Sequence, residues 1–248
     1  MADHGLYVYA VIRSGQPLPA NTPAVGGPPA VPRILREGAI AAVVSDAPPQ
    51  LRARRRDLLA HQELLLALSE DGPVLPMRFG VVAPDEQTLR GQLAEARTRH
   101  LATLEQLTGR VEFNVKAVAA QNALAALVRE DPEIRKLRDD ARHRPGYAAD
   151  LRLGEAVAAA LARRAAEAGT RVVRELTALA HAVVAGPDVQ GCAVNASFLV
   201  DRDDAERFTA TARQLALTHQ ERAELRVAGP LPCYSFVADQ APAPTAVM

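Results

Sequence analysis

Short strand-like runs near both ends of the chain, with helices between them, predict an α+β protein of two domains, each a mixed sheet with helices in ferredoxin-like layering, the second carrying a long helical segment. Two observations predict this. Apolar runs of strand length alternate with stretches of helical period, and from Ala119 to about Ala185 the helical pattern is nearly unbroken. The boundaries read as 1–109 for the first domain, 110–237 for the second and 238–248 for a flexible, proline-bearing tail.

LYVYAVI (6–12) and AIAAVVS (39–45) are rich in β-branched and apolar residues and fit buried strands. QPLPANTPAVGGPPAVP (16–32) lies between them, and its prolines and glycines make it a loop. After Pro48 and Pro49, residues 51–71 read as a helix in which Leu51, Leu58, Leu59, Leu65, Leu66 and Leu68 recur at helical spacing; Gly72 and Pro73 end it. VLPMRFG (74–80) is the next strand-like run. Pro84, Asp85 and Glu86 then start a helix that runs to Gly109, a C-capping glycine.

RVEFNVKAV (110–118) alternates Val111, Phe113 and Val115 with polar residues, the period of a half-buried strand, so the second domain starts near Gly109 or just after this strand. The helical stretch that follows breaks at Asp131-Pro132 and at Arg144-Pro145-Gly146. VQGCAVNASFLV (189–200) is a strand, DRDDAERFTATARQLAL (201–217) an amphipathic helix with Ala205, Phe208, Ala212 and Leu215 on one face, and RAELRVAG (222–229) a returning strand. GPLPCYSF (229–236) follows directly, and its prolines confine it to an edge or an extended arm.

Composition limits the function. Hydrophobic residues make up 48% and charged residues 23% of 248, the mixture of an ordinary globular protein. Lys plus Arg balances Asp plus Glu at 29 each, so no net field draws the chain to nucleic acid or to anionic lipid. No signal-like N-terminus and no apolar run of membrane-spanning length occurs, and the expectation is a cytoplasmic protein. Cys192 and Cys233 are too few and too far apart for a metal knuckle or a disulfide framework.

Chemistry is sparse. The six histidines are scattered and none stands at the spacing of a zinc helix. No phosphate-binding loop and no nucleophile elbow is present, and the paired acids at 139–140 and 203–204 point to different helix faces. The sequence therefore predicts no enzyme, no catalytic residue, no cofactor and no metal. Seven residues stand out instead. Arg54, Arg55 and Arg56 form a basic cluster that reads either as a solvated helix face or as a contact for an acidic partner. Arg78, at a strand end beside Phe79, reads as tied to a nearby acid or carbonyls, or as a binding residue. Tyr234 and Phe236 alternate in a strand-like segment and read as core aromatics or as contact residues.

VLPMRFG, the Arg-rich helix with HQELL at 61–65, NASFLV at 195–200, GPLPCYSF and the opening YVYAVI together resemble the gas vesicle protein F/L family, in the expected order and over nearly the whole chain. The family's ending commonly reads GPWPPYSF; Leu231 and Cys233 depart from it here, which leaves Tyr234 and Phe236 in place. The resemblance implies a cytoplasmic, two-domain accessory protein of gas vesicle formation, without enzymatic activity. It implies as partners the major gas vesicle shell protein, a small and very hydrophobic subunit whose nucleation or early assembly it supports, and other gas vesicle accessory proteins. A small-molecule-binding regulatory module is the competing class, since such layered folds host many ligands.

Overall fold

The computed structural model describes residues 5–20 and 22–237, which form two compact units. The first takes the chain up to Glu112 together with the segment from Leu231 onward, and the second is Phe113–Pro230. The predicted tail, 238–248, lies outside the described residues.

In the first unit the chain runs β1 (Leu6–Arg13), β2 (Arg33–Glu37), β3 (Ile40–Asp46), α1 (Arg55–Asp71), β4 (Val74–Pro76), β5 (Val82–Ala83) and α2 (Glu86–Leu107). The sheet order is β2-β3-β1-β4, with β5 also paired to β1, and all four pairings that involve β1 or β2 are antiparallel. Seven of the eight β1 residues are buried because both faces of the strand are covered. Tyr7, Tyr9 and Ile12 meet Leu64, Leu65 and Leu68 of α1. Leu6, Val8 and Val11 meet Leu89, Leu93 and Leu104 of α2. A bulge sets this division: Val8 stands opposite Val44 and Ala10 opposite Val43, so Tyr9 is an extra residue and the alternation changes phase there.

Three expectations change. β2 is a strand that sequence reading missed, because RILRE carries three charges and only Leu35 is buried; Gly38, at φ 62°, turns the chain back into β3. VLPMRFG is a strand only over Val74–Pro76, after which residues 79–80 turn. The buried stripe of α1 is Asp57, Ala60, His61, Leu64, Leu65 and Leu68, so Leu58 and Leu59 face solvent.

The second unit is an α+β layer built on β6 (Arg110–Ala119, from Phe113), β7 (Ala182–Ala185), β8 (Cys192–Asp201) and β9 (Ala223–Leu231, to Pro230), in the order β7-β8-β6-β9, with β7 and β8 antiparallel. Between β6 and β7 lie α3 (Ala123–Glu130), α4 (Pro132–His143) and the 31-residue α5 (Tyr147–Thr177). The helix breaks fall where the prolines put them. The Asp131 carboxylate accepts from the Glu133 and Ile134 amides and so caps α4, with Pro132 at its first position. β7 is a correction to the unbroken helical reading: AVVA is too short to show its period and is fixed by pairing with residues 196–199. α5 lies close on the sheet because Gly169 has no side chain; a Cβ there would come 2.8 Å from that of Ala117.

α6 (Ala205–His219) joins β8 to β9. Its Phe208 ring packs against Phe113 and Phe198 at centroid separations of 4.8 and 5.3 Å, which makes the aromatic centre of this unit. Gly229, at φ 154°, lets β9 close over that centre; a Cβ would lie 2.3 Å from Phe113 Cδ1. Gly229→Ala is therefore expected to lower the unfolding free energy by about 2 kcal/mol, read as a drop in the urea midpoint, and an unchanged midpoint would show that the ring yields.

Candidate functional site

Helix α1 carries His61 on its buried face, four residues after Asp57, and places it against β1. His61 Nε2 is 3.0 Å from the Met77 carbonyl oxygen, which can only accept, so Nε2 holds the proton. Nδ1 is then the acceptor for the Tyr7 hydroxyl, 2.9 Å away. The Tyr7 oxygen in turn accepts from the Gly80 amide at 3.4 Å. Both ends of MRFG are thereby tied to one buried pair. Phe79 closes the cluster, its ring 5.8 Å from Tyr7 and 5.9 Å from His61.

Tyr9 extends the network on the same face. Its ring stacks near His61 at 5.7 Å, its hydroxyl meets Ser45 Oγ at 3.0 Å and it accepts the Val25 amide at 2.8 Å. The long loop before β2 is thus anchored by a tyrosine of β1. Burial pushes the Tyr7 hydroxyl well above the usual tyrosine range, raises that of Tyr9, and pulls His61 below the usual histidine range. At neutral pH the cluster is uncharged, and its hydrogen bonds satisfy it internally.

The segment from Leu231 belongs to this unit as well. It does not continue as a strand: residues Tyr234–Phe236 make a single 3-10 turn. Glu112, only 4% exposed, accepts from the Ser235 amide at 2.9 Å and from the Ser235 hydroxyl at 2.7 Å. Phe236 and Cys233 are buried, and Val237 packs against the α2 side of the core. Tyr234 stays 37% exposed and lies within electrostatic reach of Tyr7. VLPMRFG and the end of GPLPCYSF are therefore both held in the first unit.

All seven residues singled out from sequence fall in this first unit. Phe79 and Phe236 are packing residues with partly or fully buried rings. Of the two readings of Arg78, the tie to a nearby acid or carbonyls finds no side-chain partner: it is exposed, and among the described residues no ion pair and no side-chain hydrogen bond holds it. Its own carbonyl accepts the Val81 amide in the turn, so the backbone holds the strand end and the guanidinium is left to solvent. Arg54, Arg55 and Arg56 are exposed at the start of α1, with Arg56 3.5 Å from Asp57. Tyr7, His61, Glu112 and Ser235 were missed. The signal for His61 was present in its place at i, i+3, i+4 and i+7 with Leu64, Leu65 and Leu68; Glu112 and Ser235 are 123 residues apart and leave none.

Among the described residues no group of three or more His, Cys, Asp or Glu gathers as a metal site, and no helix is long and apolar enough to cross a membrane. A cavity of about 520 Å³ in the second unit is an open groove lined by Phe113, Pro230 and the α6 residues Ala205, Glu206, Thr209, Ala210 and Arg213. What fold and site define is an α+β protein of two units whose distinctive motifs bind its own segments together and leave a basic and apolar helix face outside.

The known proteins similar to this chain agree on one family. A model described as gas vesicle synthesis protein GvpL/GvpF matches residues 5–238. The chain is 43% identical over 235 residues to gas vesicle protein F of Streptomyces sp. (strain CB03234), covering 93% of this chain and 98% of that one. It is 33% identical to gas vesicle protein L of the same organism, over 94% and 93% of the two chains. In fold it matches the crystal structure of the gas vesicle protein GvpF from Anabaena sp. PCC7120 with a TM-score of 0.78 at 22% identity, over 96% of this chain and all of that one. The chain belongs to the gas vesicle synthesis protein GvpL/GvpF family, and its role lies in gas vesicle formation.

Two outcomes are expected of the buried groups. Because His61 is held below its usual pKa, the folded state binds fewer protons than the unfolded chain once pH falls under about 6.5. Stability is complete above that value and declines below it, by up to about 1.4 kcal/mol per pH unit. His100, also lowered by burial, adds to the decline, so the His61 share is the part that disappears in His61→Gln when urea midpoints at pH 7.5 and 5 are compared. Glu112→Ala, by removing both hydrogen bonds that the carboxylate accepts from Ser235, is expected to remove about 2 kcal/mol and to speed thiol labelling of Cys233 over Cys192, followed by peptide mass spectrometry; equal rates in variant and wild type would mean that the segment is held elsewhere.

Proposed function

We propose that this chain binds the major gas vesicle shell subunit in the cytoplasm and supports its nucleation or early assembly, using the outer face of α1. The observation that carries this reading is the composition of that face. Arg52, Arg54, Arg55 and Arg56 are exposed at the head of the helix, and Leu58 and Leu59 follow at 42% and 44% exposure. The arrangement works against the protein's own stability. Arginines at a helix N-terminus oppose the macrodipole, Arg54 supplies no side-chain cap, and two adjacent leucines stand in water. A helix face of this kind suits a partner that offers apolar surface beside acidic groups.

Membership of the gas vesicle synthesis family supplies the setting in which such a partner exists. A subunit that assembles through apolar surface aggregates if left alone, and transient cover by Leu58 and Leu59 holds it while the arginines steer the encounter. Arg78 and Tyr234, exposed in the same unit, are the next contacts to test, and other gas vesicle accessory proteins are the further partners of the reading.

The test is co-expression with the shell protein, followed by affinity capture and a shell-solubility assay. Leu58→Asp combined with Leu59→Asp, and separately Arg54→Glu with Arg55→Glu and Arg56→Glu, are expected to reduce capture at least tenfold with unchanged circular dichroism and melting. Arg78→Ala is expected to give a smaller loss. Capture that survives both sets moves the contact off α1, and no capture by the wild-type chain overturns the reading.

A further inference from the structure

We propose that a second copy of this chain docks on the outer face of α6, in an antiparallel two-fold arrangement that pairs Glu206 of each copy with Arg213 of the other. Glu206 and Arg213 are exposed, both line the 520 Å³ groove, and neither has an ion-pair partner among the described residues. Seven residues apart, they fall on one helix face about 10 Å from each other along the axis. The face is therefore a dipole, acidic near the start of the helix and basic two turns on. Rotated by 180° about its midpoint, it becomes its own complement.

The midpoint falls between Thr209 and Ala210, which also line the groove. Small side chains at that place let two helix axes approach closely, so both charge pairs can form at once. β9 borders the same groove through Pro230, is the outer strand of its sheet, and is exposed from Arg226 to Pro230. Val227 there is 38% exposed and Leu217, one turn beyond Arg213 on α6, 62%. Apolar area thus flanks the charges on both sides, and a second copy covers it with the same composition that it presents. This surface is in the second unit and the inference does not depend on the α1 reading.

The experiment is sedimentation velocity on the full chain across about 1–100 µM, a range that brackets the affinity of modest self-association. The wild type is expected to approach twice its 26.5 kDa at the upper end. Glu206→Arg alone and Arg213→Glu alone each set like charges opposite one another and are expected to stay monomeric. In an equimolar mixture of the two variants, the arginine introduced in one copy meets the glutamate introduced in the other, and the second contact keeps its original pair. That mixture is expected to recover the dimer, as is the chain carrying both changes. Both positions are exposed, so melting temperatures serve only to confirm folding. A wild type that remains monomeric at the highest concentration, a dimer indifferent to either reversal, or a mixture that fails to associate overturns the proposal.

Discussion

The first unit depends on a hydrogen-bond chain with a buried centre and partly buried ends: Gly80 amide to Tyr7, Tyr7 to His61, His61 to the Met77 carbonyl. Each member is a polar group that burial would penalise if it were left alone, by roughly 1–3 kcal/mol apiece. Linked, they hold the turn after β4 against the helix before it. A histidine is suited to the middle position because one ring nitrogen donates while the other accepts, and burial keeps it neutral so that it does both.

The same constraint explains the return of the C-terminal segment. Glu112 is buried just before the chain enters the second unit, and a buried carboxylate needs donors. Ser235 provides two, its amide and its hydroxyl. The chain therefore leaves the first unit, builds the second and comes back to satisfy the residue from which it left. Tyr7 serves the first of these ties, since its hydroxyl accepts the Gly80 amide and donates to His61.

Local physics was legible in the chain before its fold was known. Prolines and capping acids at 84–86, 131–132 and 144–146 mark helix limits that the backbone follows, because those signals act within one turn. β7 was hidden inside an apolar helical stretch and β2 behind its charges, since both owe their state to strand partners and not to their own pattern. The phase of α1 misled for a related reason. Seven leucines in residues 51–68 offered more than one apolar stripe, and the choice between them is made by Tyr7 and Tyr9, which select the face that carries His61. Arg78 shows the limit at a single site: its place at a strand end suited a nearby acid or a binding role alike, and the backbone closes that turn unaided.

A chain with no net charge can still be strongly polarised in parts, and the distribution here has a physical consequence. Basic residues gather at the head of α1, where they oppose the helix dipole, while the groove-lining face of α6 sets Glu206 and Arg213 two turns apart with Thr209 and Ala210 between. Neither feature stabilises its own unit. Isolated surface charges of this sort contribute little to folding, and exposed leucines contribute against it. Their energetic return comes only when another surface removes them from water, and the two patches differ in what they ask of that surface: a one-signed head calls for an acidic partner, whereas a balanced dipole is complementary to itself. Two units built around separate cores can thus serve two separate contacts, one toward a different protein and one toward a second copy, without either contact disturbing the buried network that holds the first unit together.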